Sequence, residues 1–511
     1  MAQAPLWGLG RVIAQEHSLF WGGLIDLDSG AWPLDNAAHQ LWKELSAPDG
    51  EDQIAFRQGR RYVGRIVRRS RSADQPLPLS WRINGSYLIT GGLGDLGLAV
   101  ARWMVEQGAR RLILLSRTKL PSRAHWSSAE GGSRLAHQIA SIRQLEAAGA
   151  CVHLAAADVA DEEQLAAFLN EFQADGWPPI RGVVHAAGVL RDGLLSQLDA
   201  GALEKVLRPK MIGGWLLHRL LEDVPLDFFV LFASAGSLLG QPGQGNYAAA
   251  NAFLDALAHH RRARGQPALT VNWGAWRGLG FAETPGGKRL ASRLSFLGIN
   301  SIAPARALDV LKRLLQEDAT QVVALPVDWG RYLQFYPAGK EPRLLSELAR
   351  DEAAKSPQAS HPGEKRSALL AAEPAELSGL LQSYLAELVA RVLGLSASKL
   401  DLQQPLANLG LDSLMAVELK NRIAIDLGIN VPMVTFLMGP SVEQATSQLL
   451  NLFVSETTTS SASFRSLIAC SQDEGKKAGA GERLLEDLDR FSDEEVNSLL
   501  ADLLAEEEVG E

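Results

Sequence analysis

Cysteine is nearly absent from this chain. Its 511 residues include only Cys151 and Cys470, which are far apart and do not have the spacing of metal ligands. A disulfide framework or a zinc site is therefore not expected, and a reducing compartment is favoured. Chemistry based on cysteine is excluded as the function.

Long apolar runs are missing as well. No segment approaches the ~18 uninterrupted apolar residues of a membrane span. Residues 1–11 contain no apolar run behind a basic stretch, as a secretory signal would. These absences predict a soluble protein of the cytoplasm.

The sequence also has no basic stripe of the kind that binds nucleic acid. The formal net charge is -9, and residues 482–511 alone contribute -10 through 12 acids and 2 bases, which leaves about +1 for the rest. A nearly neutral body argues against a nucleic-acid partner. The acidity belongs to the C-terminal tail, which needs its own explanation.

The chain does contain a regular alternation of short apolar runs and helical stretches from Ser86 to about Pro326. The runs are Tyr87–Thr90, Leu112–Leu115, Cys151–Leu154, Gly182–His185, Phe228–Phe232, Leu269–Val271 and Val322–Leu325. Runs of this kind, separated by helices, predict one parallel sheet covered on both faces. The length of the whole chain predicts three to four domains.

The segment before this alternation, residues 6–68, is rich in tryptophan and contains a predicted hairpin. The tryptophans are Trp7, Trp21, Trp32 and Trp42, and the hairpin joins Ile54–Arg57 to Tyr62–Ile66 through a turn at Gly59. We expect the tryptophans to form the core of a small supporting subdomain.

The C-terminal third changes character at residues 351–372, where periodicity is lost and proline, glycine and scattered charge predict a linker. Leu377–Leu393, Ser413–Asp426 and Ser441–Leu452 then have the apolar spacing of helices in a small bundle. A second linker, 455–481, leads to two short predicted helices, 482–491 and 493–504.

A glycine-rich motif follows the first predicted strand and opens a helix. It consists of Thr90, Gly91, Gly92, Leu93, Gly94, Asp95, Leu96 and Gly97. Glycine lets the backbone approach a pyrophosphate, whose charge is favoured at a helix N-terminus. The motif therefore predicts a dinucleotide site.

Ser116 and Arg117 lie twenty residues beyond Gly97, where an NAD enzyme would place an acid for the ribose. Arginine at this position favours a 2′-phosphate and hence NADPH, although a solvated loop arginine is the alternative. The turns after the third and fourth strands are expected to line the binding sites of the adenine and the nicotinamide ribose. These turns contain Asp158, Val159, Ala186, Ala187 and Gly188.

Reduction of a ketone needs a proton donor beside the carbonyl oxygen, and Tyr247 is the candidate. Tyr247 opens a predicted helix, and Asn251, four residues on, lies on the same face. Ser234, just after the fifth run, is placed to reach the same carbonyl. A serine in that position can also be a simple strand cap.

These residues resemble the ketoreductase of modular type I polyketide synthases, in which asparagine replaces the usual lysine four residues after the tyrosine and a lysine appears upstream, here Lys210. The resemblance implies that Lys210 stabilises the tyrosine phenolate and that Asn251 organises a proton relay. It also implies an α/β, Rossmann-like short-chain dehydrogenase domain with a truncated supporting subdomain, followed by an all-α four-helix carrier bundle and a helical tail.

The carrier resemblance rests on Gly410, Leu411, Asp412, Ser413 and Leu414, between a loop and a helix. An isolated serine there would be an ordinary helix N-cap. The flanking residues and the position behind a linker resemble an acyl carrier protein, which implies that Ser413 carries 4′-phosphopantetheine, added by a phosphopantetheinyl transferase.

The resemblance extends to stereochemical markers. Leu190, Arg191 and Asp192 resemble a loop of B-type ketoreductases, and Leu239 and its neighbours lack the tryptophan of A-type enzymes. A D-hydroxyl product is therefore expected. Ala249 implies no epimerisation at the α-position, and the region after Trp276, through about Asn300, is expected to form a substrate lid.

The tail has leucines at helical spacing and a predicted capping box at Ser492 and Glu495. It resembles the docking elements that join successive synthase subunits, so a downstream subunit, or a dimer through the tail, is the expected partner. The family's supporting subdomain usually begins well before the equivalent of Leu6, so we expect its remainder either to lie on another polypeptide or to have been trimmed from this one. Upstream synthase domains are expected partners as well.

The predicted domains follow from these resemblances. They are a partial supporting subdomain at 1–82, a catalytic domain at 83–350, a linker at 351–372, a carrier at 373–453, a second linker at 454–481 and a docking element at 482–511. The expected function is NADPH-dependent reduction of a carrier-bound β-ketoacyl thioester. A non-reducing scaffold beside a working carrier is the rival, and the tail disfavours an animal-type fatty acid synthase.

Overall fold

The computed structural model describes most of the chain up to residue 453. The described residues are 1–27, 34–69, 80–128, 131–333, 336, 341–355, 364–372, 374–393, 400–409, 411, 413–429, 431–432, 434–437 and 439–453. The predicted second linker and both predicted tail helices lie outside them, as does Trp32. Within the described part of the chain, no helix combines the length and hydropathy needed to cross a membrane.

The N-terminal segment forms a three-stranded sheet with two helices. The helices are α1 (Ala4–Glu16) and α2 (Leu34–Ser46), and the strands are β1 (Leu24–Asp26), β2 (Gln53–Arg57) and β3 (Arg60–Val63). Strands β2 and β3 are antiparallel and are joined through Gln58 and Gly59, so the predicted hairpin is confirmed with a shorter second strand. Strand β1, which pairs in parallel with β2, was not predicted.

A seven-stranded sheet, parallel throughout, forms the centre of the next region. Its strands are β4 (Ser86–Thr90), β5 (Arg111–Ser116), β6 (Cys151–Ala156), β7 (Ile180–His185), β8 (Phe228–Ser234), β9 (Leu269–Trp273) and β10 (Gln321–Ala324). Their order across the sheet is β10-β9-β8-β7-β4-β5-β6. All seven predicted runs are strands, and the prediction of a Rossmann-like parallel sheet is confirmed.

Helices cover both faces of this sheet. The covering helices are α3 (Asp95–Glu106), α4 (Arg134–Ala147), α5 (Glu162–Ala174), α6 (Ala200–Leu220), α8 (Gly245–Ala263) and α10 (Pro304–Gln316). The same region also contains α7 (Gly236–Leu239), α9 (Pro285–Phe296), α11 (Trp329–Leu333) and α12 (Ser346–Lys355). Successive residues of a strand point to opposite faces. Ile89 accordingly packs with α3, α4 and α10, and Leu88 packs with α5, α6 and α8.

Two sequence-based expectations are corrected by this structure. Trp42 is 63% exposed and does not belong to a core, because three short strands and two helices offer too little surface to cover both sides of α2. The predicted linker at 351–372 is not coil throughout. Helix α12 continues to Lys355, and Glu364–Ala371 forms α13, as their alanine-rich and charged composition favours.

The remaining helices are α14 (Pro374–Leu393), α15 (Ser413–Leu427), α16 (Val434–Leu437) and α17 (442–453). Leu381, Leu385 and Val389 are buried along α14, and Leu419 and Ile423 along α15. This spacing confirms the predicted amphipathic helices. By contacts the chain divides into Met1–Ser367 with Leu411–Gly428, and Ala368–Gly410 with the residues from Ile429 onward, so the carrier boundaries stay a prediction.

Candidate active site

The carboxyl ends of the parallel strands meet at one edge of the sheet, where an open cavity of ≈ 750 Å³ lies. Its wall includes Gly91, Gly94, Asp95, Leu96, Gly97, Ala186, Gly188, Lys210, Ser234, Leu239 and Tyr247 among the predicted site residues. These residues come from separate strands and helices of the sheet region. Ligands of open parallel sheets bind at such an edge.

The glycine-rich motif forms the turn between β4 and α3. Gly91 has φ +67°, and a Cβ on Gly97 would lie 2.3 Å from the Gly91 carbonyl oxygen, so no larger residue fits there. The turn therefore packs tightly against the first turn of α3. A backbone without side chains at a helix N-terminus fits the pyrophosphate of a dinucleotide.

A buried polar pair fixes the neighbouring loop. Thr90 Oγ1 lies 2.7 Å from His185 Nδ1, and the Ala186 amide donates to the Thr90 carbonyl at 3.2 Å. Burial lowers the pKa of His185 to about 3, so its ring is neutral at physiological pH. The pair joins the ends of β4 and β7, and residues 186–188 follow directly.

Lys210 reaches the site from α6. It is 3% exposed, and its Nζ donates to the Phe232 carbonyl at 2.8 Å and lies 5.4 Å from the centroid of the Tyr247 ring. A Cβ on Gly188 would lie 3.0 Å from Lys210 Cε, so glycine makes room for the lysine. Burial lowers the pKa of Lys210 to about 8.

Tyr247 lies in the first turn of α8. Its burial raises the pKa of the phenol to about 12, so the hydroxyl keeps its proton at physiological pH. Asn251 is fully buried one turn later, and its Nδ2 donates to the Tyr247 carbonyl at 2.7 Å. Asn251 Oδ1 accepts no hydrogen bond from the described residues. The cavity wall contains Tyr247 but not Asn251.

Ser234 is the last residue of β8, whereas the sequence predicted that it follows the strand. Its Oγ accepts from the Gly236 amide at 3.2 Å, which is a turn contact of the kind the capping alternative predicts. The hydroxyl hydrogen is not used in that bond. Ser234 thus caps its turn and also lies in the cavity wall with Tyr247 and Lys210.

A buried network behind Ser234 was missed in the sequence. Asp255 accepts hydrogen bonds from Ser237 Oγ (3.1 Å), Thr270 Oγ1 (3.0 Å) and Asn272 Nδ2 (2.9 Å). Ser237 Oγ also lies 2.8 Å from the Ser234 carbonyl oxygen, so its single hydroxyl hydrogen is shared between this oxygen and Asp255. Burial raises the pKa of Asp255 to about 6. The available signal was the four-residue spacing of Tyr247, Asn251 and Asp255 along α8, whose other residues between Ala248 and Ala258 are apolar.

Several predicted residues lie at the same sheet edge but outside the cavity wall. They are Thr90, Gly92, Leu93, Ser116, Arg117, Asp158, Val159 and Ala187. Arg117 is exposed directly after β5. Asp158 accepts from the Ala160 amide at 2.9 Å within its own turn, and Val159 is buried in the core under β6. Their roles toward a nucleotide stay predictions.

The two stereochemical markers lie beside the cavity. Leu239 is in its wall, and the exposed Asp192 accepts from Gln244 Nε2 at 3.1 Å. Gln244 directly precedes α8 and was not singled out in the sequence. Ser413, the predicted attachment residue, is the first residue of α15.

Two family models match the chain. The KR domain matches residues 85–278, and the phosphopantetheine attachment site matches residues 383–449. The first range contains the glycine-rich turn, Lys210, Ser234, Tyr247 and Asn251. The second contains Ser413.

Curated relatives are synthases much longer than this chain. The 6-methylsalicylic acid synthase of Arthrobotrys oligospora is 38% identical over 84% of this chain and 24% of that protein. The 5-methyl-1-naphthoate synthase of Streptomyces sahachiroi is 37% identical over 86% of this chain and 24% of that protein. The chain thus spans about a quarter of the length of these relatives.

Solved structures agree in fold and sequence. A-type ketoreductases from a modular polyketide synthase are 38% identical, with a TM-score of 0.58 over 69% of this chain and 70% of that chain. The first ketoreductase of the tylosin synthase is 36% identical, with a TM-score of 0.57 over 70% of this chain and 72% of that chain. This chain therefore belongs to the polyketide synthases and comprises a ketoreductase and acyl carrier region of such a synthase.

Proposed function

We propose that this chain reduces a β-ketoacyl thioester, carried on its own phosphopantetheine, to the β-hydroxyacyl thioester with NADPH. The observation that carries the proposal is the grouping of Lys210, Ser234 and Tyr247 in the wall of one cavity with the glycine-rich turn. A proton donor, a cation and a nucleotide cradle are the parts that this reaction needs. The rival hypothesis, a non-reducing scaffold, does not require a buried lysine beside a tyrosine.

The cofactor fit rests on the turn between β4 and α3. Its close packing at Gly91 and Gly97 leaves bare backbone for a pyrophosphate, and Ala186 and Gly188 continue the wall toward Tyr247. The exposed Arg117 would bind a 2′-phosphate, as a guanidinium readily does. When bound, NADPH supplies the hydride that adds to the carbonyl carbon.

The proton comes from the protein. The Tyr247 hydroxyl, still protonated at physiological pH, gives its proton to the carbonyl oxygen as the C–H bond forms. The Ser234 hydroxyl donates a hydrogen bond to the same oxygen. The Lys210 ammonium, 5.4 Å from the ring centroid, stabilises the phenolate that remains. Asn251 holds the Tyr247 backbone and takes part in returning a proton from solvent.

The carrier delivers the substrate. Ser413, at the start of α15, would be joined to phosphopantetheine by a phosphopantetheinyl transferase, and this group supplies a thiol for the acyl chain. Upstream synthase domains would load that chain. A downstream subunit, engaged through the acidic tail at 482–511, would receive it, and a dimer through the tail is the alternative.

The stereochemical proposal is a B-type reduction to the D-hydroxyl. It is supported by Asp192 beside Gln244, and by Leu239 in the cavity wall at a segment without tryptophan. Ala249 in the following turn supports retention of the α-configuration, since epimerising B-type members tend to have proline there.

The proposal is tested by mixing the full chain with NADPH and the N-acetylcysteamine thioester of a β-keto acid. We expect NADPH oxidation matched mole for mole by the β-hydroxy thioester in mass spectrometry. Folded protein that binds NADPH but forms no hydroxy product would support the scaffold instead. The surrogate makes the test independent of the carrier.

A further inference from the structure

Glu16 is a buried carboxylate at the end of α1, in the supporting subdomain. Its residue is 3% exposed. Helix α1 lies directly on α8, which carries Tyr247: a Cβ on Gly8 would lie 2.2 Å from the Ala248 carbonyl oxygen. The position of Glu16 relative to Tyr247 is therefore fixed by close helix packing. No sequence motif drew attention to this residue.

Each carboxylate oxygen of Glu16 accepts one backbone amide from a different loop. Oε2 accepts from Leu195 at 2.8 Å, and Oε1 accepts from Gly243 at 2.7 Å. We name residues 186–195 the first loop and residues 240–244 the second loop. One side chain thus joins two segments that are about fifty residues apart in the sequence.

The two loops also contact each other directly. The Gly193 amide donates to the Gly243 carbonyl at 2.8 Å, and Gln244 Nε2 donates to Asp192 Oδ2 at 3.1 Å. Glu16 adds to this contact by accepting one backbone hydrogen bond from each loop. Hydrogen bonds to a carboxylate are about twice as strong as neutral ones, so Glu16 binds both loops more strongly than a neutral acceptor in its place would.

Both loops border the space where a ketone would meet Tyr247. The first loop contributes Gly188 and Leu190 to the cavity wall, and the second contributes Gly240 and Gln244 and leads into α8. A change in their separation would alter which face of the ketone is presented. The supporting subdomain is therefore connected to the stereochemistry of the site.

We propose that Glu16 is a positioning residue that sets the separation of the two loops and thereby the orientation of the ketone beside Tyr247. The proposal rests on the proposed ketone reduction. A merely structural role would lower stability without changing selectivity. The two roles are separated by the ratio of the two hydroxyl stereoisomers.

The test is Glu16→Gln in the full chain, with the N-acetylcysteamine β-ketothioester and NADPH. Glutamine keeps the shape but replaces one acceptor oxygen by an NH2 group that cannot accept from a backbone amide. We expect the stereoisomer ratio to fall and KM to rise by about tenfold each, the effect of losing one such hydrogen bond, with a smaller change in kcat. An unchanged ratio and KM would overturn the proposal.

Val12→Ala is the matched control. Val12 is fully buried on the same helix, and its truncation lowers stability without removing a polar contact to either loop. The control should keep the ratio of the parent protein. If it shifts the ratio as much as Glu16→Gln does, the effect comes from loss of stability and the positioning role is wrong.

Amide hydrogen exchange gives a readout that does not depend on activity. Glu16→Gln should speed amide exchange at Leu195 and Gly243 and leave exchange in the turn at 90–97 unchanged. If both amides exchange at the same rates as in the parent protein, Glu16 does not hold the two loops and the proposal is wrong. If the parent protein reduces nothing, the proposed function fails, and exchange then decides only whether Glu16 holds the two loops together. Should Glu16→Gln not fold, Glu16→Asp, which keeps both oxygens on a shorter stem, replaces it in both measurements with the same criteria.

Discussion

The Lys210 ammonium lies 5.4 Å from the centroid of the Tyr247 ring, although the two residues come from different helices and are separated in sequence by α7 and β8. Burial moves their pKa values apart, from 10.5 to about 8 for Lys210 and from 10.0 to about 12 for Tyr247. At neutral pH both groups are protonated. The pair is then a proton donor beside a cation, which is the state needed for reduction of a ketone.

The first prediction concerns pH. Because burial lowers the pKa of Lys210 to about 8, the cation is present below that pH and is lost above it. We expect kcat/KM for ketone reduction to be level near pH 7 and to fall as the pH rises through about 8. The profile is measured from pH 6 to 9.5 with the β-ketothioester.

Lys210→Met should be at least ~100-fold slower and should lack this fall, because the titrating group is gone. Lys205→Met, which removes an exposed lysine from the same helix, is the control and should keep the parent profile. A parent profile that stays level to pH 9.5 would show that the Lys210 charge is not needed.

The second prediction concerns cofactor choice. Arg117→Ala should lower the preference for NADPH over NADH by about 10- to 100-fold, because one charge-assisted phosphate contact is lost. Ratios of kcat/KM for the two cofactors measure this. Lys119→Ala removes a charge two residues away and should change the preference much less. Equal use of both cofactors by the parent protein would contradict the assignment of Arg117.

The third prediction concerns the carrier. Ser413→Ala should gain no mass on incubation with coenzyme A and a phosphopantetheinyl transferase, while reduction of the free thioester is unchanged. Ser441→Ala is the control, because Ser441 Oγ accepts from the Gln444 amide at 3.2 Å as an ordinary helix cap. That variant should lose ~1 kcal/mol of stability and still be modified. Modified Ser413→Ala protein would place the site elsewhere.

The fourth prediction concerns stereochemistry. Reduction should give predominantly the D-hydroxyl product, and Asp192→Ala should erode that preference, since its contact with Gln244 joins the two loops beside Tyr247. Chiral chromatography of the reduced thioester measures the ratio. A mainly L-hydroxyl product from the parent protein would refute the B-type assignment.

Local pattern was sufficient for the sheet and for placing the glycine-rich turn, Ser234 and Tyr247 at one sheet edge. Each strand has an apolar run bounded by helix signals, and the glycine motif lies between a predicted strand and a predicted helix, as a nucleotide-binding turn does. The same regularity predicted that the turn, Ser234 and Tyr247 would meet, because parallel strands bring their carboxyl ends to one edge. Lys210 required the family resemblance, since nothing in its own helix distinguishes it.

Contacts that depend on long-range packing were not predictable. Asp255 and Glu16 are single acids whose partners lie on other elements. The spacing of Asp255 from Tyr247 and Asn251 indicates a shared helix face but not burial, and Glu16 has no such spacing. The prediction that Trp42 is buried failed because no partner surface covers it. An aromatic residue on an amphipathic helix has the same local signal whether or not such a surface exists. In each case the deciding quantity is what packs against the residue.

The most direct test of the central claim is Tyr247→Phe, because it removes only the proposed proton donor and keeps the ring beside Lys210. Tyr87→Phe is the control, since the Tyr87 hydroxyl accepts from the Arg82 amide at 2.7 Å far from the cavity wall. The measurement is NADPH-dependent formation of the β-hydroxy thioester, together with NADPH affinity. We predict a loss of at least ~100-fold in kcat for Tyr247→Phe with NADPH affinity unchanged. Turnover within about tenfold of the parent protein would contradict the account, because the proton would then come from another group.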